Sequence, residues 1–229
     1  MSDTMPAPAQ GKPCWIDMMV DDQAAALGFY HSLLGWSGEP NAEFGGYAVM
    51  SVGEQPVAGI GPNMPGQPAA PIAWTVYFAV ENADATAARI AESGGSMLVA
   101  PMDVPGTGRM AVAADPSGAT FGIWQPNPFT GFVSGPNGSA VWFELETTQG
   151  KQCAEFYASV FGIEVPEMEQ MPGEYWLLSP GGTMAAGIWN DSGEGDATSD
   201  HPAWHVYFGV EDTDAAVSAA VAEIGRAHV

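Results

Sequence analysis

Residues 74–81 read WTVYFAVE and residues 204–211 read WHVYFGVE, so one stretch is nearly a copy of the other at an offset of 130. Earlier in the chain, WIDM at 15–18 returns as WFEL at 142–145, at an offset of 127. Matches that keep their order while the offset drifts by only three residues indicate a duplicated unit of roughly 120 residues.

Further matched pairs lie between these stretches. Phe29-Tyr30 corresponds to Phe156-Tyr157, and Tyr47 corresponds to Tyr175. We call the two copies the first and the second repeat. Because the matches span most of the chain, the duplication predicts two domains of similar architecture.

Each repeat is predicted to run strand–helix–strands twice over. Residues 13–20 alternate as a strand does, Asp21-Asp22 offers a helix N-cap, and Gly35 closes a helix over 23–34. A second helix is predicted over 83–93. The other strands predicted in the first repeat are 44–52, 56–61, 72–80, 96–100, 108–114 and 119–124.

The charge balance narrows the classes of partner. The 229 residues include 27 acidic and 5 basic side chains, for a net charge of −22. Such a surface repels phosphate backbones and anionic headgroups, so we expect neither nucleic acid nor a membrane surface as a partner. We expect a small-molecule ligand, neutral or cationic, and leave a homodimer open.

We expect no export signal or membrane span in this sequence. It has no apolar run of membrane-spanning length, and residues 1–10 do not read as a signal peptide. Its two cysteines, Cys14 and Cys153, occupy positions that do not correspond in the two repeats. A reduced, cytoplasmic protein is therefore expected, and a shared catalytic thiol is not.

The order of these motifs resembles that of the vicinal oxygen chelate (VOC) superfamily, which comprises glyoxalases, bleomycin-resistance proteins and extradiol dioxygenases. The resemblance rests on FY at 29–30, LLGW at 33–36, GR at 108–109 and DPSG at 115–118. It is strongest to two-domain actinobacterial glyoxalase-like (hydroxylase-like) members. It implies an α+β fold in which tandem βαβββ modules form two cup domains.

The repeat and the resemblance together predict the domain boundaries. We expect a disordered tail at 1–10, a complete domain at 11–126, a linker at 127–137 and a second domain at 138–229. That second domain has no counterparts of the last three strands, so we expect it to be truncated at its C-terminal end. Residues 223–229 are interpreted as a sequencing artefact.

The resemblance also implies where a metal ion would be held. In metal-using members the ligands lie on the first strand of each module and on the last strand. In the first repeat these positions fall on Trp15, Thr75 and Gly122, and in the second on Trp142 and His205. With one histidine among them, we expect no metal and no other cofactor.

Strand alternation selects the side chains that would line the cups. In the first repeat they are Trp15, Asp17, Thr75, Tyr77 and, on the last strand, Trp124. In the second repeat they are Trp142, Glu144, His205 and Tyr207.

Among these residues the candidates for acid–base work are Asp17, Tyr77, Glu144, His205 and Tyr207. A structural interpretation stands beside each. Asp17 and Glu144 would also satisfy tyrosine hydroxyls or backbone groups within the sheet, and His205 would hydrogen-bond there. Arg109 is expected to form a structural ion pair.

Two classes of function are compatible with these residues. The first is a metal-free binding protein of the bleomycin-resistance kind, which holds a small organic molecule in an aromatic cup. The second is a metal-independent isomerase, lyase or hydroxylase-like enzyme that uses Asp17 with Tyr77, or Glu144 with Tyr207, for acid–base work. Metal-dependent glyoxalase or dioxygenase activity is disfavoured by the ligand positions.

Overall fold

A computed structural model describes residues 7–63, 73–132, 134–191 and 201–227. In chain order, the strands are β1 (Pro13–Val20), β2 (Ala48–Val52), β3 (Gln55–Pro62), β4 (Thr75–Ala79), β5 (Ser96–Val104), β6 (Gly108–Ala114), β7 (Thr120–Pro126), β8 (Ala140–Thr147), β9 (Tyr175–Leu178), β10 (Ala186–Asn190) and β11 (Ala203–Phe208). The helices are α1 (Gln23–Leu34), α2 (Ala83–Glu92), α3 (Gly150–Phe161) and α4 (Thr213–Ala227), with short 3-10 helices at Ala42–Phe44 and Pro180–Gly182.

The chain packs into two compact units, and each unit draws on both repeats. The larger unit contains residues 7–15, 75–131, 142–191 and 201–206. The smaller unit contains residues 16–63, 73–74, 132, 134–141 and 207–227.

In the first sheet of the larger unit the strands are ordered β1-β4-β7-β6-β5, and only the first residues of β1 belong to this unit. The backbone N–H of Gly11 donates to Ala79, and that of Ala79 donates to Lys12, both at 2.8 Å. β4 runs parallel to β7, while β6 is antiparallel to both β7 and β5. Because α2 packs on β5, β6 and β7, residues 75–126 form a complete βαβββ module.

The second sheet of the larger unit has the order β11-β8-β10-β9. β8 and β10 are parallel, and α3 packs on β9, β10 and α2. Aromatic rings fill the core of this unit with centroids 5.0–6.4 Å apart: Phe78, Phe121, Phe156, Tyr157, Phe161 and Trp204.

In the smaller unit the strands are ordered β2-β3-β1, with β1 parallel to β3. α1 packs on β3 and against α4. Its aromatic core holds four rings with centroids 4.8–6.5 Å apart: Tyr30, Trp36, Trp74 and Phe208.

The predicted α+β class is confirmed, and the predicted first helix matches α1 at both ends. Asp22 caps it by accepting a 2.9 Å hydrogen bond from the backbone N–H of Ala25. Gly35 ends it with φ of +70°, a conformation that favours glycine.

The largest differences between predicted and observed strand bounds are at two strands. The strand predicted from residue 44 begins at Ala48, because Asn41 accepts a hydrogen bond from the N–H of Glu43 and starts a 3-10 helix. At the other edge, β5 continues to Val104 rather than ending at 100. Within the described ranges no helix is both long and apolar enough to cross a bilayer.

Candidate ligand-binding site

One face of the second sheet of the larger unit packs against α3, and the other face does not. Trp204 of β11 donates its indole N–H to the Tyr157 hydroxyl of α3 at 2.9 Å, so its side chain lies on the helix face. Leu145 of β8 is fully buried. Since strand side chains alternate, the neighbours of these residues point to the opposite face.

That opposite face carries carboxylates, rings and an imidazole, and we call it the acidic face. Strand alternation and register assign to it Trp142, Glu144, Glu146, Tyr175, Trp189 and His205.

A chain of hydrogen bonds crosses the acidic face. The Trp142 indole N–H lies 3.3 Å from Tyr175 Oη, and the Tyr175 hydroxyl donates to Glu144 Oε2 at 2.5 Å. Glu144 stands opposite Gly187 in the parallel ladder. A Cβ atom at Gly187 would lie only 1.9 Å from Tyr175 Oη, so glycine is what allows the phenol to reach the carboxylate.

His205 lies on the same face, beside a carboxylate that sequence reasoning missed. Its Nε2 is 3.2 Å from Glu146 Oε2; the His205 side chain is 44% exposed and that of Glu146 only 10%. The alternation that selected Trp142 and Glu144 would also have selected Glu146, two residues further on. Trp189 of β10, in register with Glu146, is 38% exposed.

The first repeat contains the same carboxylate–tyrosine–glycine arrangement, located in the smaller unit. Tyr47 donates to Asp17 Oδ2 at 3.2 Å, and Asp17 stands opposite Gly59. A Cβ atom at Gly59 would lie 1.7 Å from Tyr47 Oη. Asp17 is buried.

These contacts add two tyrosines to the sequence interpretation. Tyr47 donates to Asp17 and Tyr175 donates to Glu144, and neither tyrosine was among the candidates. The signal was available, because Tyr47 and Tyr175 correspond in the two repeats. Tyr207 belongs to the smaller unit and is about half exposed.

The remaining candidates of the first repeat lie on the first sheet of the larger unit. Phe78 and Phe121 contact the rings of α3, so Tyr77 and Trp124 lie on the opposite face. Tyr77 covers Gly122, where a Cβ atom would lie 2.1 Å from the phenol ring. Trp15 is buried there against Phe129, at 4.9 Å between ring centroids. Thr75 is half-buried at the start of β4.

The family's metal positions do not fit an ion in the described residues. In the first repeat they hold an indole and a threonine, and the space beside Gly122 is filled by Tyr77. In the second repeat His205 has Glu146 as its carboxylate neighbour. Across the described part of the chain, no three His, Cys, Asp or Glu side chains come together as metal ligands would.

A buried polar cluster joins three elements behind the acidic face. Asp115 Oδ1 accepts the backbone N–H groups of Ser117, Gly118 and Ala119 and the Ser117 hydroxyl, at 2.6–3.1 Å. Its Oδ2 accepts the hydroxyl of Tyr157 at 2.9 Å. Burial, followed by the Asp115 charge, raises the pKa of Tyr157 well above its usual value.

Two other expectations concern charged and thiol side chains. Arg109 forms the predicted structural ion pairs, at 2.9 Å to Asp84 and 2.8 Å to Asp103. Both cysteines are buried, and burial raises the pKa of Cys14 and brings that of Cys153 to about 12. Neither thiol is therefore suited to act as a nucleophile near neutral pH.

Comparison with known proteins adds sequence relatives that span nearly the whole chain. The family profile described as "Glyoxalase/Bleomycin resistance protein/Dioxygenase superfamily" matches residues 13–123. The chain is 35% identical over 223 residues to the "Putative glyoxylase CFP32" of Mycobacterium tuberculosis, covering 95% of this chain and 84% of that protein. It is 37% identical over 236 residues to the "Anthracycline biosynthesis protein DnrV" of Streptomyces peucetius, covering 95% and 83%.

Solved structures share the fold at low sequence identity. The Mn(II)-bound glyoxalase from Novosphingobium aromaticivorans superposes with a TM-score of 0.62 at 14% identity, over 95% of this chain and 71% of that chain. A 4-hydroxymandelate synthase mutant from Streptomyces coelicolor gives a TM-score of 0.62 at 16% identity, over 94% and 76%.

Proposed function

The chain belongs to the Glyoxalase/Bleomycin resistance protein/Dioxygenase superfamily, and we propose that it binds a small organic molecule on the acidic face without a metal ion. The observation that carries the proposal is the chain of hydrogen bonds from Trp142 through Tyr175 to Glu144. It fixes an indole, a phenol and a carboxylate on one face of a sheet. Aromatic faces and a few placed polar groups are the usual make-up of small-molecule sites.

The charge of the acidic face favours a cationic ligand with a planar ring. Glu144 and Glu146 attract a positive group, and an indole face binds a cation through its quadrupole. Trp142 and Trp189 would stack on a ring. The anthracycline biosynthesis named for one relative supports an aromatic ligand class.

A charge series built on one ring tests this proposal. Tryptamine, indole and indole-3-acetate share the indole ring and differ in charge, so calorimetric titration with each separates ring binding from charge. We expect tryptamine to bind most tightly and indole-3-acetate most weakly. Glu144→Gln should weaken tryptamine about tenfold, which corresponds to about 1.4 kcal/mol, with little change for indole.

The matched control is Glu92→Gln, which removes the same charge from an exposed position on α2. It should leave all three affinities unchanged, and a chelator should not alter them either. Equal binding of the three probes, or tryptamine binding that survives Glu144→Gln, would contradict the proposal.

A metal-independent enzyme is the second candidate, and the 2.5 Å contact between Tyr175 and Glu144 favours it. A carboxylate within hydrogen-bond reach of a phenol hydroxyl is a suitable acid–base pair. Incubation of the protein with the members of a ligand panel that it binds, followed by mass analysis, distinguishes the two. A binding protein leaves the ligand unchanged, whereas an enzyme consumes it and loses that activity in Glu144→Gln.

A further inference from the structure

One aromatic side chain from the segment after β7 occupies the face of the first sheet where the cup-lining rings of the first repeat lie. The Phe129 ring meets Trp15 edge-on, with centroids 4.9 Å apart and planes at 84°. It meets Trp124 in the same manner, at 6.0 Å and 82°. Edge-to-face contact is a favourable geometry for aromatic pairs, and Phe129 makes it on two sides.

Backbone hydrogen bonds hold this ring in place. The N–H groups of Asn127 and Phe129 both donate to the carbonyl of Thr107, at 2.9 and 3.1 Å. The carbonyl of Phe129 accepts the indole N–H of Trp124 at 2.8 Å. Trp124 therefore contacts the ring of Phe129 and also donates a hydrogen bond to its backbone.

The chain beyond the ring is fitted just as closely against β1. Gly131 has φ of +115°, and a Cβ atom there would lie 2.0 Å from the carbonyl oxygen of Cys14. A residue with a side chain could not follow this path without moving the backbone. Glycine at 131 therefore allows the chain to place Phe129 against Trp15 and Trp124.

The aromatic side chains on this face of the first sheet are much less exposed than those on the acidic face. Trp15, Tyr77 and Trp124 retain only 5%, 4% and 7% exposure, whereas Trp189 and His205 on the acidic face are more than a third exposed. Little surface of Trp15, Tyr77 and Trp124 is left for a ligand. We infer that Phe129 is the internal occupant of the aromatic pocket of the first repeat, and that, of the two aromatic faces in the described ranges, only the acidic face remains open to an aromatic ligand.

This inference rests on the proposed function for the remaining site, but its central claim can be tested separately. Indole is titrated calorimetrically into the wild-type chain, Phe129→Ala and Phe129→Leu. Removal of the ring should expose Trp15 and Trp124 and add one indole site per chain. Leucine keeps most of the volume, so Phe129→Leu should keep the wild-type stoichiometry.

The location of the added site is checked with Phe129→Ala combined with Trp142→Ala, which should retain it. If Phe129→Ala does not fold, Phe129→Val opens a smaller pocket and is titrated with phenol. A folded Phe129→Ala that gains no site, or a wild-type chain that already binds two equivalents, would overturn the inference. If the wild type binds none and Phe129→Ala binds one, the proposed function fails while the assignment of Phe129 as the internal occupant stands.

Discussion

Tyr157 and Tyr30 occupy corresponding positions in the two repeats, yet their surroundings differ. Tyr157 on α3 is fully buried; its hydroxyl donates to Asp115 and accepts the indole N–H of Trp204. Tyr30 on α1 is half-buried, stacks on Trp36 with centroids 4.8 Å apart and shares a side-chain hydrogen bond with Trp74.

The difference shows that the same tyrosine–tryptophan pair can be held in one fixed arrangement or in a more tolerant one. The tyrosine–tryptophan pair is common to both repeats, because Trp74 corresponds to Trp204. In the larger unit a buried carboxylate is added to that pair. A buried hydrogen-bonded network demands one arrangement of its members, while stacked rings tolerate small shifts. We therefore expect the larger unit to depend on Asp115 more than the smaller unit depends on any one side chain around Tyr30.

The largest expected effect comes from removing that carboxylate. Asp115→Ala leaves the buried hydroxyl of Tyr157 and the N–H groups of the turn without their acceptor. Such a loss costs about 3–5 kcal/mol of the free energy of unfolding. Urea unfolding followed by tryptophan fluorescence measures it.

The control for Asp115 is Asp103→Ala, which removes an exposed carboxylate from the ion pair with Arg109. Exposed ion pairs contribute little, so its unfolding midpoint should stay near that of the wild type. Equal losses in the two variants would show that the buried cluster has no special role.

A smaller effect is expected at the two glycines beneath the tyrosine–carboxylate pairs. Gly187→Ala and Gly59→Ala each place a Cβ atom within 2 Å of a tyrosine hydroxyl, so the phenol must move and its hydrogen bond is lost. Overpacking of this kind costs about 1–3 kcal/mol. If the two arrangements are equivalent, the losses should be similar.

Gly28→Ala is the matched control for these glycines, because nothing lies within 4 Å of its added methyl group on α1. It should stabilise the chain by about 0.5–1 kcal/mol, since alanine is the better helix former. A neutral Gly187→Ala beside a destabilising Gly59→Ala would break the equivalence of the two repeats.

Sequence reasoning succeeded where the physical signal was local or repeated. The N-cap Asp22 and the left-handed Gly35 bound a helix whatever surrounds it, and strand alternation separated the face of Trp142 and Glu144 from the helix face. Both signals depend on backbone geometry that is the same in every protein.

The partners of those residues were harder to predict, because they come from other strands. The sequence positions of Glu144 and Tyr175 do not reveal that Gly187 leaves room for the Tyr175 hydroxyl to reach Glu144. The segment that carries Phe129 was expected to be a linker, and a linker gives no periodic signal. Packing between distant segments decides such contacts, and the packing units do not follow the repeat boundaries.

The direct test of the comparison is to remove each hydroxyl while keeping the ring. Tyr157→Phe removes the phenol donor to Asp115 Oδ2 and the acceptor of the Trp204 indole N–H, and should cost about 1–3 kcal/mol. Tyr30→Phe removes a half-buried hydroxyl and should cost less than about 1 kcal/mol. Thermal and urea unfolding of both variants give the difference, and a larger loss in Tyr30→Phe would reverse our ranking of the two sites.

The smallest expected effect is the dependence of stability on alkaline pH. Burial keeps Tyr157 protonated in the native state, whereas the unfolded chain ionises its tyrosines near pH 10. The native state then binds more protons than the unfolded state, so stability falls as pH rises above that value. At pH 10.5 Tyr157 should account for about 0.8 kcal/mol of the loss.

The pKa of Tyr30 is also raised by burial, and the pKa values of both thiols are raised as well, so the wild-type chain loses more than this in total. The contribution of Tyr157 is isolated by urea unfolding of Tyr157→Phe and the wild type at pH 8 and 10.5: the variant starts less stable but should lose less between the two pH values. Parallel pH profiles would show that the Tyr157 hydroxyl ionises as readily in the folded chain as in the unfolded one.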